Sequence, residues 1–175
     1  MLLRKINAAL SLLITLLLLA HAISIAVWML SRGGVGISGI VPRILTGATA
    51  IHAFISIDIL VTGIMSGDVR KGKKYLKINA LTVIQRASGI LMVLFTVLHI
   101  AGAAGYMQPP KVVHAILPPL FFTLVMTHIS VSTGKAFITL GIGNARFIKV
   151  VDVVTKIVCG ATLIADVVGF YLYVC

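Results

Sequence analysis

The sequence predicts an all-α membrane protein in which five helices cross the bilayer as one bundle. Of its 175 residues, 59% are hydrophobic and only 11% are charged, which is far more apolar than a soluble domain of this size. The apolar residues fall into five runs, each long enough to cross about 30 Å of hydrocarbon as a helix. We therefore expect residues 1–175 to form a single domain with helices at approximately 6–30, 40–65, 80–106, 112–140 and 148–174.

The first segment follows a short basic start, Arg4-Lys5, as the apolar region of a secretory signal peptide also does. Ala20-His21-Ala22 even resembles a cleavage site. The apolar run continues to Leu30, however, which gives it enough length to cross a bilayer. We expect a retained helix.

Helix-breaking residues separate the segments. Glycines follow the first and fourth segments, and Pro109-Pro110 follows the third. Pro118-Pro119 lies inside the fourth segment, where we expect it to kink the helix. Cys159 and Cys175 form neither a Cys-x-x-Cys pair nor a Cys-x-x-Cys-His motif, so the sequence predicts no zinc site, iron–sulfur cluster or covalently attached haem.

The cations predict the orientation of the chain. With the N-terminus in the cytoplasm, twelve of the fifteen Lys and Arg residues lie on or near the cytoplasmic side, five of them between Arg70 and Lys77. The three that remain outside are Arg32, Arg43 and Lys111. Because cytoplasmic segments of membrane proteins carry an excess of Lys and Arg, we expect a cytoplasmic N-terminus and an external C-terminus.

Four histidines lie inside the predicted helices, where ionisable side chains are costly and usually functional. The depth of each histidine is its distance from the cytoplasmic end of its helix, at about 1.5 Å per residue. On this scale His21 and His99 lie roughly 22 and 28 Å deep, and His52 and His128 lie roughly 20 and 18 Å deep. The histidines thus form an outer pair, His21 with His99, and an inner pair, His52 with His128.

Two levels of two histidines, each drawn from two helices, match the requirement of bis-histidine haem b. In such a site, neutral imidazoles bind the two axial positions of the iron. The pattern therefore predicts two haem b groups, and the alternative is a set of hydrogen-bonded packing histidines. His114 does not fit the pairing and has the simpler interpretation of an interfacial side chain near the outer membrane surface.

The third segment also carries the motif of a known family. Gln85-Arg86-Ala-Ser88-Gly89-Ile90, followed by His99, resembles the Gln-Arg-x-[Ser/Thr]-Gly-Ile…His helix of cytochrome b membrane anchors. These anchors belong to succinate:quinone oxidoreductases and fumarate reductases, and the single-subunit, five-helix, di-haem type is the most similar. The resemblance implies axial ligands at His21, His52, His99 and His128. It also implies that Arg86, Gln85 and Ser88 lie near the haem propionates. Lys135, at the inner end of its helix, is a further candidate for a propionate contact.

The resemblance implies an electron-transfer subunit of a prokaryotic cytoplasmic membrane. A flavoprotein subunit with FAD would interconvert succinate and fumarate, and an iron–sulfur subunit would dock on the cytoplasmic face of the anchor. The chain itself would carry no catalytic residue for that reaction. Its other partners would be membrane lipid and a membrane quinone, with menaquinone expected, and it would bind no nucleic acid.

The quinone site is the least defined part of this hypothesis. The chain contains no glutamate, so the carboxylate that some family members place near the outer quinone is missing. We expect His114, near the outer surface and beside Pro118-Pro119, to exchange protons with the quinone instead. The competing site is at the inner face, where Asp58 or Asp152 would serve.

Two alternatives come from other functional classes. A di-haem anchor of another quinone-linked enzyme, such as a nitrate or heterodisulfide reductase, would follow the same physical logic. A small ion- or proton-coupled transporter would instead use Asp58, Asp166 and the histidines as ion or proton sites.

Overall fold

The computed structural model of the chain describes residues 2–32, 39–65, 75–103, 105–106 and 110–174, without the side chains at 63–65, 75–79, 103, 111–112, 114 and 174. Five helices make up this part of the chain: α1 (Leu2–Leu30), α2 (Ile40–Met65), α3 (Tyr75–Ala103), α4 (Lys111–Leu140) and α5 (Ala145–Val174). Each contains a stretch long and apolar enough to cross a membrane. The predicted all-α, multi-pass architecture is confirmed.

The ends of α3 differ from the predicted range of 80–106. The helix starts at Tyr75, inside the basic stretch, because backbone hydrogen bonding continues beyond the apolar residues. It ends at Ala103 because Gly105 turns the chain with a φ of 77°. There the Gly105 N–H donates to the Gly102 carbonyl at 3.1 Å, and the Tyr106 N–H donates to the Ala101 carbonyl at 2.9 Å. A glycine cap, rather than the prolines that follow, stops the helix.

A short connection joins α4 to α5. Gly141 ends α4 with a φ of 75°, and Gly143, with a φ of 84°, lies so close to the Phe147 ring that a Cβ would overlap it. Asn144 then caps α5, since its Oδ1 accepts a hydrogen bond from the Phe147 N–H at 2.9 Å. This cap explains why α5 begins at Ala145 instead of residue 148.

Pro118 and Pro119 lie inside α4, which continues as one helix from Lys111 to Leu140. The Thr123 hydroxyl donates to the Pro119 carbonyl at 2.8 Å, one turn further along.

The helices pack around α1 and α4, which contact each other, and α5 covers both of them. On the flanks, α2 packs on α1 and α3 packs on α4, whereas α2 and α3 make no extensive contact in the described part of the chain. The most buried cluster is Val125, Met126, Ile129 and Cys159, with Leu18, Leu19, Met92 and Leu163 against it. The core is therefore centred on α4 and α5, and α2 and α3 are its lightly packed neighbours.

Candidate functional site

His128 lies on α4, and two groups of α3 hold its ring. Ser88 Oγ is 3.0 Å from His128 Nδ1, and the Ser88 hydroxyl donates to the backbone carbonyl of Gln85 at 3.1 Å. The Gln85 backbone also lies near the His128 ring. Ser88 is only 4% exposed, so water does not compete for these contacts.

The Ser88 contact is made at Nδ1, and no hydrogen bond to Nε2 occurs among the described residues. In the tautomer with the proton on Nδ1, the Ser88 oxygen accepts from the ring, the Ser88 hydroxyl donates to the Gln85 carbonyl, and Nε2 keeps a free lone pair. A metal-binding histidine takes this form, with one nitrogen free for the metal and the other held by a hydrogen bond.

Gly89 gives the His128 ring room to approach α3. A Cβ at this position would lie 3.2 Å from His128 Cε1, which is tighter than most Cβ contacts, and 3.6 Å from Nδ1, which is an ordinary contact distance. The space beside Gly89 is used by the imidazole.

His52, the predicted inner partner of His128, lies on α2. The two rings are close enough for a charge on one to act on the other. His52 Nδ1 is buried and has no hydrogen-bond partner among the described residues, although the backbone of Asn7 lies beside the ring. A buried ring nitrogen without a partner costs free energy unless something else binds it.

His21 and His99, the predicted outer pair, are likewise within electrostatic reach of each other. The centroids of the His99 and Phe121 rings are 5.3 Å apart, and Phe95 stacks on Phe121 at 6.3 Å. His99 therefore has an aromatic neighbour where His128 has a polar one.

The two histidines of each predicted pair lie on helices that do not pack extensively on each other. His52 and His128 lie on α2 and α4, and His21 and His99 lie on α1 and α3; neither helix pair is among those in extensive contact within the described residues. A planar group held between two imidazoles needs this separation of helix backbones. The two pairs of imidazoles, the free Nε2 of His128 and the buried, unpartnered Nδ1 of His52 are all compatible with haem binding.

A cationic cluster lies at the end of α4 that is closest to the α4–α5 connection. Lys135 Nζ donates to Gln85 Oε1 at 2.9 Å and to Thr82 Oγ1 at 3.2 Å, and Arg86 is near enough to repel it. The ion pair found among the described residues joins Lys156 to Asp152, so neither Lys135 nor Arg86 has a carboxylate partner there. Two neighbouring cations without an acid form a natural anion site.

The four predicted propionate residues thus differ in what they contact. Ser88 is occupied by the His128 ring, and the Gln85 side chain is occupied by Lys135. Arg86 and Lys135 remain the charged groups that could face an anionic group, and that role stays a prediction.

The predicted quinone residues do not meet in one place. His114 lies in α4, but its side chain is outside the described residues. Asp58 is exposed on α2, and Asp152 is paired with Lys156. Asp166, by contrast, is 1% exposed, and neither carboxyl oxygen has a hydrogen-bond partner in the described part of the chain.

Comparisons with protein-family models, with curated proteins and with solved structures found no match to this chain. The evidence for its function therefore comes from its own residues. Within the described ranges, no three His, Cys, Asp or Glu side chains come together as a metal site. A haem iron takes its equatorial ligands from the porphyrin and only its axial ligands from the protein, so a pair of histidines is sufficient for it.

Two polar contacts were not anticipated from the sequence. Asn7 on α1 bonds Ser56 on α2, and Thr82 on α3 bonds Lys135 on α4. For the bond between Asn7 and Ser56, the sequence does contain a signal, because an amide inside an apolar helix is costly in a membrane unless it has a hydrogen-bond partner.

Proposed function

We propose that the chain is a di-haem cytochrome b membrane anchor of a succinate:quinone oxidoreductase or quinol:fumarate reductase. It would transfer electrons between an iron–sulfur subunit and the membrane quinone pool. The observation that carries the proposal is the setting of His128, whose Nδ1 lies 3.0 Å from Ser88 Oγ while Nε2 has no hydrogen bond among the described residues. The placement of His52 beside it supports the same conclusion.

Four histidines would hold two haem b groups as axial ligands: His52 with His128 for the inner one and His21 with His99 for the outer one. When bound, haem b supplies reversible one-electron chemistry. The protein residues contribute fixed ligand geometry and charge. The Ser88 contact orients the His128 ring, and Gly89 allows that ring to lie against α3.

Lys135 and Arg86 would neutralise a haem propionate. A propionate brings negative charge into a low-dielectric region, which is unfavourable without a paired cation. The Gln85 amide and the Thr82 hydroxyl hold the Lys135 ammonium in one place and so reduce the conformational entropy lost when an anion binds.

The cation distribution supports an N-terminus in the cytoplasm and a C-terminus outside, in a prokaryotic cytoplasmic membrane. An aromatic pair fits this orientation. Trp28 and Tyr173, near the C-terminal ends of α1 and α5, have ring centroids 4.7 Å apart, and such residues favour the membrane interface. A flavoprotein subunit with FAD and an iron–sulfur subunit would then bind at the cytoplasmic face, and menaquinone would be the quinone.

An absorption spectrum of the purified protein tests the proposal. Reduced bis-histidine haem b gives sharp visible bands, and haem extraction should yield two haems per chain. Subunits that co-purify with the chain would separate this anchor from one that serves a nitrate or heterodisulfide reductase. A colourless protein that stays colourless after expression with added haem precursor would refute the proposal.

One observation favours a second class of function. Asp166 is buried among membrane-crossing helices with both carboxyl oxygens unpartnered, as the ion or proton site of a small transporter would be. Such a protein would show no haem spectrum, so the same measurement decides between the two.

A further inference from the structure

Asn7 joins α1 to α2 through its side-chain amide. Its Nδ2 donates to Ser56 Oγ at 3.0 Å, and the two residues lie 49 positions apart in the sequence. Asn7 Oδ1 is buried and has no partner among the described residues. An amide that leaves its oxygen unsatisfied inside an apolar helix costs free energy, so the hydrogen bond to Ser56 must compensate for it.

The same residue also contacts the ring of a candidate ligand. The backbone of Asn7 lies beside His52, and Ser56 is one helical turn beyond His52 on α2. Asn7 therefore bonds α2 at Ser56, and its main chain lies near the ring of His52 one turn away. A hydrogen bond at this point holds the height of α1 against α2 close to His52.

We propose that Asn7 is a positioning residue for His52. Its amide ties α1 to Ser56, one helical turn from His52, and this tie keeps the Asn7 main chain near the His52 ring. Ser88 is likewise a polar group of a neighbouring helix that lies beside His128. Groups that orient a metal ligand in this way control ligand geometry and metal affinity. This inference rests on the proposed haem-binding function.

The geometry also predicts which haem responds. Asn7 and His21 lie on the same helix, α1, so a general distortion of α1 would disturb both haems. Loss of the Asn7–Ser56 tie alone would loosen α2 at His52 and leave the contact between His21 and His99 in place. A selective effect on the His52–His128 haem is therefore the signature of positioning.

The experiment compares variants in the full-length protein, purified with its bound haem. Asn7→Ala removes the amide and keeps the main-chain carbonyl, Ser56→Ala removes the acceptor, and Ser56→Thr keeps a hydroxyl. Ser11→Ala is the matched control, because the Ser11 hydroxyl lies on the same helix and donates to the Ala8 carbonyl of that helix at 2.8 Å. The readouts are haem content and the low-spin electron paramagnetic resonance signal of each haem.

We expect Asn7→Ala and Ser56→Ala each to shift or deplete the His52–His128 signal, with haem affinity lowered roughly 10- to 100-fold, as for other groups that orient a metal ligand. The double variant should resemble either single one, because both remove the same contact. Ser56→Thr and Ser11→Ala should resemble the wild type.

Three results would overturn the inference. One is an Asn7→Ala protein with both signals unchanged, another is equal loss of both haems, and the third is additive effects in the double variant. Each of these leaves the proposed function standing, since the wild type still binds two haems. A wild-type protein that binds no haem would overturn the proposed function as well. The His21–His99 signal in every variant reports that α1 and α3 are folded.

Discussion

Replacement of Ser88 by Ala tests the hydrogen bond at His128 Nδ1. The change removes the oxygen 3.0 Å from His128 Nδ1 and leaves the Gln85 backbone near the ring. Loss of a buried neutral hydrogen bond costs about 1 kcal/mol. A hydrogen bond from Nδ1 makes the imidazole a more basic ligand, which favours the ferric iron. Only the part of this energy that differs between ferric and ferrous iron changes the potential, so the loss should raise the midpoint potential of the proposed inner haem by no more than about 40 mV, the equivalent of about 1 kcal/mol for one electron.

A redox titration that follows the visible bands of the two haems measures this shift. The outer component should keep its potential, because His21 and His99 make no contact with Ser88 among the described hydrogen bonds and ring contacts. Ser130→Ala is a suitable control, since Ser130 is two residues from His128 but its hydroxyl bonds the Met126 carbonyl of its own helix at 2.7 Å. Unchanged potentials, a downward shift, or a shift confined to the outer haem would refute a hydrogen bond donated by His128 Nδ1.

Four further predictions address the rest of the site. His21→Ala and His52→Ala should each remove a different spectral component, and loss of the same component in both variants would contradict the predicted pairs. Arg86→Gln should lower the potential of the inner haem, because a neutral side chain no longer balances a propionate; two unchanged potentials in a titration would make Arg86 a simple membrane anchor. Gly89→Val should deplete the inner haem in an extraction assay, since even a Cβ would lie 3.2 Å from His128 Cε1, and full occupancy would show that the ring can move. His114→Leu should preserve both spectra and reduce turnover with a quinol analogue in the assembled complex, whereas normal turnover would place the quinone site elsewhere.

The helices could be predicted from the sequence, but several of their ends could not. Apolar run length is a direct property of the residues, and all five runs became helices. The predicted end of α3 at residue 106 was wrong because Gly105 adopts a left-handed conformation that the apolar pattern does not report. The start of α5 was also misplaced, since a hydrogen bond from Asn144, and not hydropathy, sets it.

The sequence predicts the depth of a residue in a helix but not its rotation about the helix axis. Position along a straight helix follows from residue number, which is the basis of the predicted inner and outer pairs of histidines. Rotation and the identity of the neighbouring helix depend on packing, which residue number does not contain. For this reason the contact of Ser88 with the His128 ring was not predicted, and Asn7 was overlooked although its main chain lies near the His52 ring.

The two levels of histidines differ in a way that bears on how each would hold a haem. At the inner level, Ser88 of α3 supplies a polar group to the His128 ring on α4. At the outer level, His99 lies beside Phe121, which restrains the ring by contact alone. Directional bonds fix the rotation of a ring, whereas apolar contact fixes only its position. Of these two candidate ligands, His128 is therefore the more preorganised.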